Sequence, residues 1–143
     1  MRDAIPGFNE RRMLEDAKNH VRESGQFRTA QELAEISSLD LDDLQSRLKG
    51  WETRGEIFSI NDGSTGELFP IFAFDNAGDI RQFGAIADAL GIFGDHISQW
   101  AIASWFIAAN GYLDGQCPKD LLETHPELVI GAARDAIAGC IHG

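Results

Sequence analysis

Histidine is the side chain best suited to metal binding and to proton transfer near neutral pH. The chain has four, His20, His96, His125 and His142. None falls in HExxH or beside another ligand at metal spacing. Three carboxylates crowd together at Asp40, Asp42 and Asp43. Their spacing fits the first turn of a helix, where acidic side chains answer the positive end of the dipole. That explains them without a metal or an acid–base pair. The two cysteines, Cys117 and Cys140, form no CxxC and are expected to be reduced thiols. There is no GxSxG, no P-loop and no GxGxxG. The expectation is a protein that binds, with no catalytic residue, no cofactor and no metal.

Basic side chains are the other groups that could meet a ligand. The sequence carries 12 Lys and Arg against 23 Asp and Glu, a net charge of −11. Such a balance is a poor footprint for a nucleic-acid protein as a whole. The distribution is uneven, with 8 of the 12 basic residues in the first 50 positions. If phosphate is met anywhere, it is met there. Gln45, Arg47, Lys49 and Arg54 are the candidate DNA contacts, because they lie on or just after the second helix of a helix-turn-helix pattern. Residues 29–54 also carry six acidic residues. Asp40, Asp42 and Asp43 fall at the end of the helix that such motifs turn toward the bases, where phosphates would repel them. A structural helix pair or a dimer surface is the competing reading.

The elements that would position these residues are legible from spacing. Met13, Leu14, Ala17 and Val21 recur at helical period over 9–24, with Asn9 as a cap and Ser24-Gly25 as a stop. Thr29 and Glu32 form a capping box ahead of a short helix striped by Ala30, Leu33, Ala34 and Ile36, which Ser37-Ser38 breaks. Asp40 with Asp43 opens the next helix, faced by Leu41, Leu44, Leu48 and Trp51. After Gly55 the period shortens, and EIFSI and ELFPIFAF read as a hairpin around a loop of about five residues, like a wing. Pro70 assigns its strand to an edge or a strand end.

Beyond a turn at Asp75–Gly78, Asp79 is expected to cap a helix with Ile80, Phe83, Ala87 and Leu90 inward and Gly91 at its end. Asp95 opens another helix, bearing Trp100, Trp105 and Phe106. Those rings cannot all share one narrow face, so some ring surface is expected at a second face or at a partner. Asn110-Gly111 closes that helix, and Pro118 starts a short one. Thr124 with Glu127 is a further capping box before a closing helix rich in Ala and Gly.

The segment WFIAANGYLDGQCPKDLLETHPELVIGAARDAI resembles the C-terminal toxin-binding domain of Xre/MbcA/ParS-type antitoxins. The likeness rests on Trp105, Asn110, Leu113, Gly115, Pro118, Leu121 and Leu122 and covers about the last 45–60 residues. The upstream TAQELAEISSLDLDDLQSRLKGWETRGEIFSI and FPIFAFD look like bacterial proteins that place a helix-turn-helix before such a domain. The resemblance implies that the chain binds and blocks a partner toxin, often of the NAD-consuming RES type, and often binds its own promoter as a dimer or larger assembly. It also implies that the corner at 110–122 is structural. Asn110-Gly111 would make a positive-φ reversal, Leu113 would plug the core, and Gly115 would make a second reversal.

The fold expected is mainly α. A helix-turn-helix with a small wing-like hairpin, residues 1–74, packs on a C-terminal helical domain, residues 75–143. A stand-alone regulator of transcription without a toxin is the alternative function. No run of apolar residues is long enough to span a membrane and no signal-peptide h-region opens the chain, so a cytoplasmic, homo-oligomeric protein is expected.

Overall fold

The computed structural model describes residues 6–74 and 84–142. Its architecture is mainly helical with one small three-stranded antiparallel sheet. In chain order the elements are α1 (Pro6–Ser24), β1 (Phe27–Arg28), α2 (Ala30–Ser37), α3 (Leu41–Thr53), β2 (Ile60–Asp62), β3 (Gly66–Pro70), α4 (Gly84–Phe93), α5 (Gln99–Ile107) and α6 (Pro126–His142). The expected turn at 75–78, the Asp79 cap and the inward Ile80 and Phe83 lie outside the described residues, as do the side chains of Met13, Cys140 and His142.

Local chemistry sets the first half. α1 already runs through Asn9, so Asn9 is inside the helix instead of capping it. Gly25, at φ +73°, turns the chain out of α1. The Thr29 box forms in full: Thr29 Oγ1 accepts from the Glu32 amide at 3.1 Å, and Glu32 Oε1 accepts from the Thr29 amide at 3.0 Å. Ser38 takes the left-handed conformation, φ 60°, and its amide reaches back to Ala34 O, which stops α2 after two turns. Asp40 Oδ2 then accepts from the Asp43 amide and opens α3. Leu33, Ala34, Leu44 and Leu48 are buried and clamp the two helices together. Ile36 does not join them. It is 69% exposed, because α2 ends before its stripe can wrap round to the core.

β1 is only two residues long and was not foreseen. Phe27 and Arg28 pair with Pro70 and Phe69, which puts β3 in the middle of the order β1-β3-β2. Pro70 is therefore the last residue of a central strand. Its missing N–H costs nothing there, since the next amide, of Ile71, donates to Gln26 O at 2.8 Å. The hairpin is tighter than expected: Asp62 pairs with Gly66, leaving Gly63, Ser64 and Thr65 as the loop. Glu56 bends back, its amide donating to Trp51 O at 2.9 Å, and residues 57–59 lead into β2 without joining the ladder. Helix, strand, helix, helix and hairpin in this order, with β1 on β3, make a winged helix-turn-helix layout.

The second half departs from expectation at its helix ends. α4 passes through Gly91 and stops at Phe93, with Gly94 in the left-handed region (φ +50°). Its buried face is Ala85, Ile86, Ala89 and Phe93, one step from the face expected. Ser98, not Asp95, caps α5, accepting from the Ala101 amide at 3.1 Å. α6 starts at Pro126, so the residue at its N-cap position is His125 and the Thr124 box does not assemble there. Thr124 Oγ1 instead lies 2.9 Å from His125 Nδ1. α6 packs along α4. Ala85 and Ala89 meet Val129, Ala132 and Ala133 in the buried set, and small side chains there allow close approach.

The two halves share one core. α1 lies along α5. An aromatic chain crosses between them: Phe27 meets Phe58 at 6.2 Å, Phe58 stacks on Phe106 at 5.6 Å and 15°, and Phe106 meets Trp105 edge-on at 5.0 Å. Phe72 closes on Phe106 from the hairpin side at 5.5 Å.

Candidate partner-binding surfaces

The corner at 108–122 is built by three local devices. The Asn110 side chain accepts from the Tyr112 amide at 2.9 Å and starts a 3-10 turn, Gly111–Leu113. The positive-φ reversal expected at Asn110-Gly111 does not form, since Asn110 is extended at φ −125°; Asp114 takes the left-handed region instead (φ 55°), and the second reversal forms at Gly115 as expected (φ 87°). Asp114 is one of the few residue types that tolerates this region. The Gly115 amide donates back to Asn110 O at 2.8 Å and closes the loop. Pro118 then occupies the first turn of the 3-10 helix Pro118–Leu121, where its missing N–H is harmless. Leu113, Pro118, Leu121 and Leu122 are all buried. These motif residues hold the corner, and their own side chains are not offered to a partner.

What the corner does expose is Tyr112, 53% accessible. Its ring lies across α6 at Gly131. A Cβ at Gly131 would stand 2.7 Å from the tyrosine oxygen, so glycine there makes the seat. Leu128, one turn earlier on α6, is 42% exposed. Neither was singled out from the sequence. The Tyr112–Gly131 pairing joins positions 19 apart across a corner, and no local pattern signals it.

The tryptophans are committed to packing inside the molecule. Trp100 lies under two α1 cations, Lys18 Nζ at 5.5 Å and the Arg22 guanidinium at 5.1 Å. Trp105 is wedged edge-on between Phe93 and Phe106 at 5.0 Å each. Its indole N–H is buried and has no acceptor among the described residues.

The four candidate DNA contacts do not converge. Gln45 and Lys49, one turn apart on α3, line a groove of about 680 Å³ between α2, α3 and the hairpin. Arg47, two positions on from Gln45, stands about 200° round the helix from it. Arg54 has left the helix and pairs with Glu56 at 3.1 Å. Inside the groove Lys49 is joined by two carboxylates, Glu52 and Glu67. Ser59 Oγ lies 2.7 Å from Glu52 Oε2 and 2.6 Å from Glu67 Oε2. Burial first, and the facing Glu67 charge with it, raise the Glu52 carboxyl above the usual range; a hydrogen bond that Ser59 donates to the ionised form opposes this in part. The groove floor is Leu41, Leu48 and Phe69. The sequence showed the acidic cluster at the N-terminus of α3, but not this second one, whose members come from α3 and both sides of the hairpin turn.

The hairpin is tied down on its other side. The buried Asp62 carboxylate accepts from the Ser64 amide, the Ser64 hydroxyl and Arg22 Nε, at 3.3, 3.1 and 3.3 Å. Those bonds, the Ser64 amide first, hold its pKa below the usual range against the cost of burial. Arg22 thus touches the hairpin and the α5 tryptophan at once.

Among the described residues no group of three His, Cys, Asp or Glu gathers as a metal site, and no helix is long and apolar enough to cross a membrane. Cys117 is a free thiol whose sulfur lies 3.4 Å from Ile107 O. Compared with models of known families, with curated proteins and with solved structures, the chain matches none.

Proposed function

We propose that this chain is an antitoxin-like protein of the cytoplasm that binds a partner toxin and blocks it by occlusion, with no chemistry of its own, and that it assembles as a homo-oligomer. The observation that carries the reading is the corner around Asn110 to Leu122. Its sequence resembles the toxin-binding domain of the Xre/MbcA/ParS-type antitoxins. It also makes a hydrogen-bonded bend with its leucines turned inward, and such a bend is a scaffold for presenting a surface. The surface it presents is Tyr112 beside Leu128, two exposed apolar groups on a chain of net charge −11. Acidic surroundings speed encounter with a basic partner, and a RES-type toxin with a basic face would meet that requirement.

A second reading has a specific observation in its favour. The winged layout supports a regulator that reads operator DNA, alone or beside the toxin function, with Gln45 and Lys49 in the groove and Arg47 outside it. The carboxylates of the same groove weigh against a large phosphate footprint.

A tagged chain drawn from its native cell lysate, with and without nuclease and at two salt concentrations, tests the first reading. A stoichiometric protein partner that survives both treatments, and is lost from a Tyr112→Asp, Leu128→Asp variant, is expected. Recovery of DNA alone, abolished by nuclease and salt, would overturn it in favour of the regulator.

A further inference from the structure

The Ser59 hydroxyl has one proton and two carboxylate oxygens within 2.7 Å. It can donate to one of them only. The other contact is a hydrogen bond only if that carboxyl brings its own proton, and two ionised oxygens at such distances from one hydroxyl would leave one of them repelling the serine lone pairs. We infer that Glu52, Ser59 and Glu67 share a single carboxyl proton that latches α3 to the hairpin, and that loss of this proton opens the groove holding Gln45 and Lys49.

The direction of the latch follows from position. Glu52 is the more buried carboxyl and Glu67 is exposed, so the proton rests on Glu52, which donates to Ser59, which donates to Glu67. Glu52 sits near the end of α3, Ser59 immediately before β2, and Glu67 on β3. The chain of two hydrogen bonds therefore spans from the helix that a reader of DNA would insert to both strands of the wing. The charged group that shares the groove is Lys49, from α3 itself. The α2 side contributes only the uncharged Thr29, Ala30 and Gln31 to the lining. The nearby cations Arg54 and Arg28 are engaged with Glu56 and Glu32. With Glu52 protonated, the groove carries one negative charge against Lys49. With both ionised it carries two, which face each other with the hydroxyl between them.

The sign is the reverse of an ordinary acidic salt bridge. A carboxyl whose protonated form is favoured on folding stabilises the fold at low pH, and the contribution disappears as pH rises through its raised folded value. This inference does not depend on the antitoxin reading, since the latch belongs to the fold.

Carbon-detected NMR titration of the glutamate carboxyls tests it on the full chain. In the wild type, Glu52 is expected to titrate above the ordinary glutamate range. Glu67→Gln, at an exposed position, should bring Glu52 down toward the ordinary range in one step. Ser59→Ala should make the Glu52 midpoint less sensitive to Glu67→Gln. Exchange of the Ile60 and Leu68 amides should quicken above the transition in the wild type and lose that pH dependence in both variants. A wild-type Glu52 midpoint in the ordinary range, or one unmoved by Glu67→Gln, would overturn the latch.

Discussion

Removing the Phe106 ring should destabilise both halves of the chain together. Phe106 has no exposed surface, stacks on Phe58 at 5.6 Å, and contacts Phe72 and Trp105 at 5.5 and 5.0 Å. Truncating a buried Phe to Ala costs about 3–5 kcal/mol. Each well-placed aromatic pair adds roughly 0.5–1.5 kcal/mol beyond burial, so Phe106→Ala belongs at the upper end of that range. Domains of this kind have only about 5–15 kcal/mol in total, and a loss of about 4–5 kcal/mol should lower the melting temperature by roughly 10–20 °C. The assay is urea unfolding followed by tryptophan fluorescence in two single-tryptophan backgrounds. One keeps Trp51 on α3 and the other keeps Trp105 on α5. If the core is continuous, both probes report one transition, and Phe106→Ala moves both midpoints equally. A Trp51 midpoint that stays in place while the Trp105 midpoint falls would refute the shared core. Phe58→Ala should cost a similar amount, and the double variant should cost less than the sum, because both singles break the same stack.

Four further outcomes follow from particular contacts. Gly131→Ala should be near neutral in the wild type, where the helix gain of about 1 kcal/mol is offset by displacing Tyr112, but stabilising in a Tyr112→Ala background; equal effects in the two backgrounds would remove the seat. Thr29→Ala should cost about 1 kcal/mol by thermal melting, within the usual 0.5–2 kcal/mol for a lost cap, and Thr29→Ser should restore most of it. Asp62 has a depressed folded pKa, so its contribution is present above the unfolded value and lost as pH falls through the folded one. Asp62→Asn should therefore flatten the acid limb of the stability–pH curve, and an unchanged limb would contradict the assignment. If the chain reads operator DNA, its binding should weaken with salt at a log–log slope of about −0.9 per phosphate neutralised, and Arg47→Ala should reduce that slope while Arg54→Ala, already paired to Glu56, should change it less.

Much of the fold was legible because its punctuation is local. The Thr29–Glu32 box, the Asp40 cap and the Gly25 stop each act within four residues, and each formed as written. The same holds for the leucines at 44 and 48, which repeat at the helix period. Errors arose where a local signal had a close competitor. Asp95 and Ser98 are both competent caps, and Ser98 prevailed with the helix starting at Gln99. Asn110-Gly111 and Asp114-Gly115 are both turn signals, and Asn110 used its side chain as a cap while Asp114 took the positive φ. Non-local features were not legible at all. Phe27-Arg28 is a strand only because β3 lies beside it, and the α1 cations that cover Trp100 lie about 80 residues away in sequence. The candidate surfaces divided in the same way. Motif residues could be named, yet the accessible groups Tyr112 and Leu128, and the carboxyl pair across the groove, depend on which distant elements meet.

The Phe58–Phe106 stack also bears on how the chain comes into being. Its partners are separated by about 48 residues, and translation proceeds at about 5–20 residues per second. For roughly 2–10 seconds, then, a growing chain has synthesised α1, β1, α2, α3 and Phe58 with no α5 to cover them. Val21, Phe27 and Phe58, all buried in the finished molecule, lack their α5 cover through that interval. A nascent chain halted before Phe106 should be open to proteases and holdases, and one released after α6 is complete should resist them. The second half of the molecule thus decides when the first half becomes durable, and a message truncated between the two should yield a short-lived product.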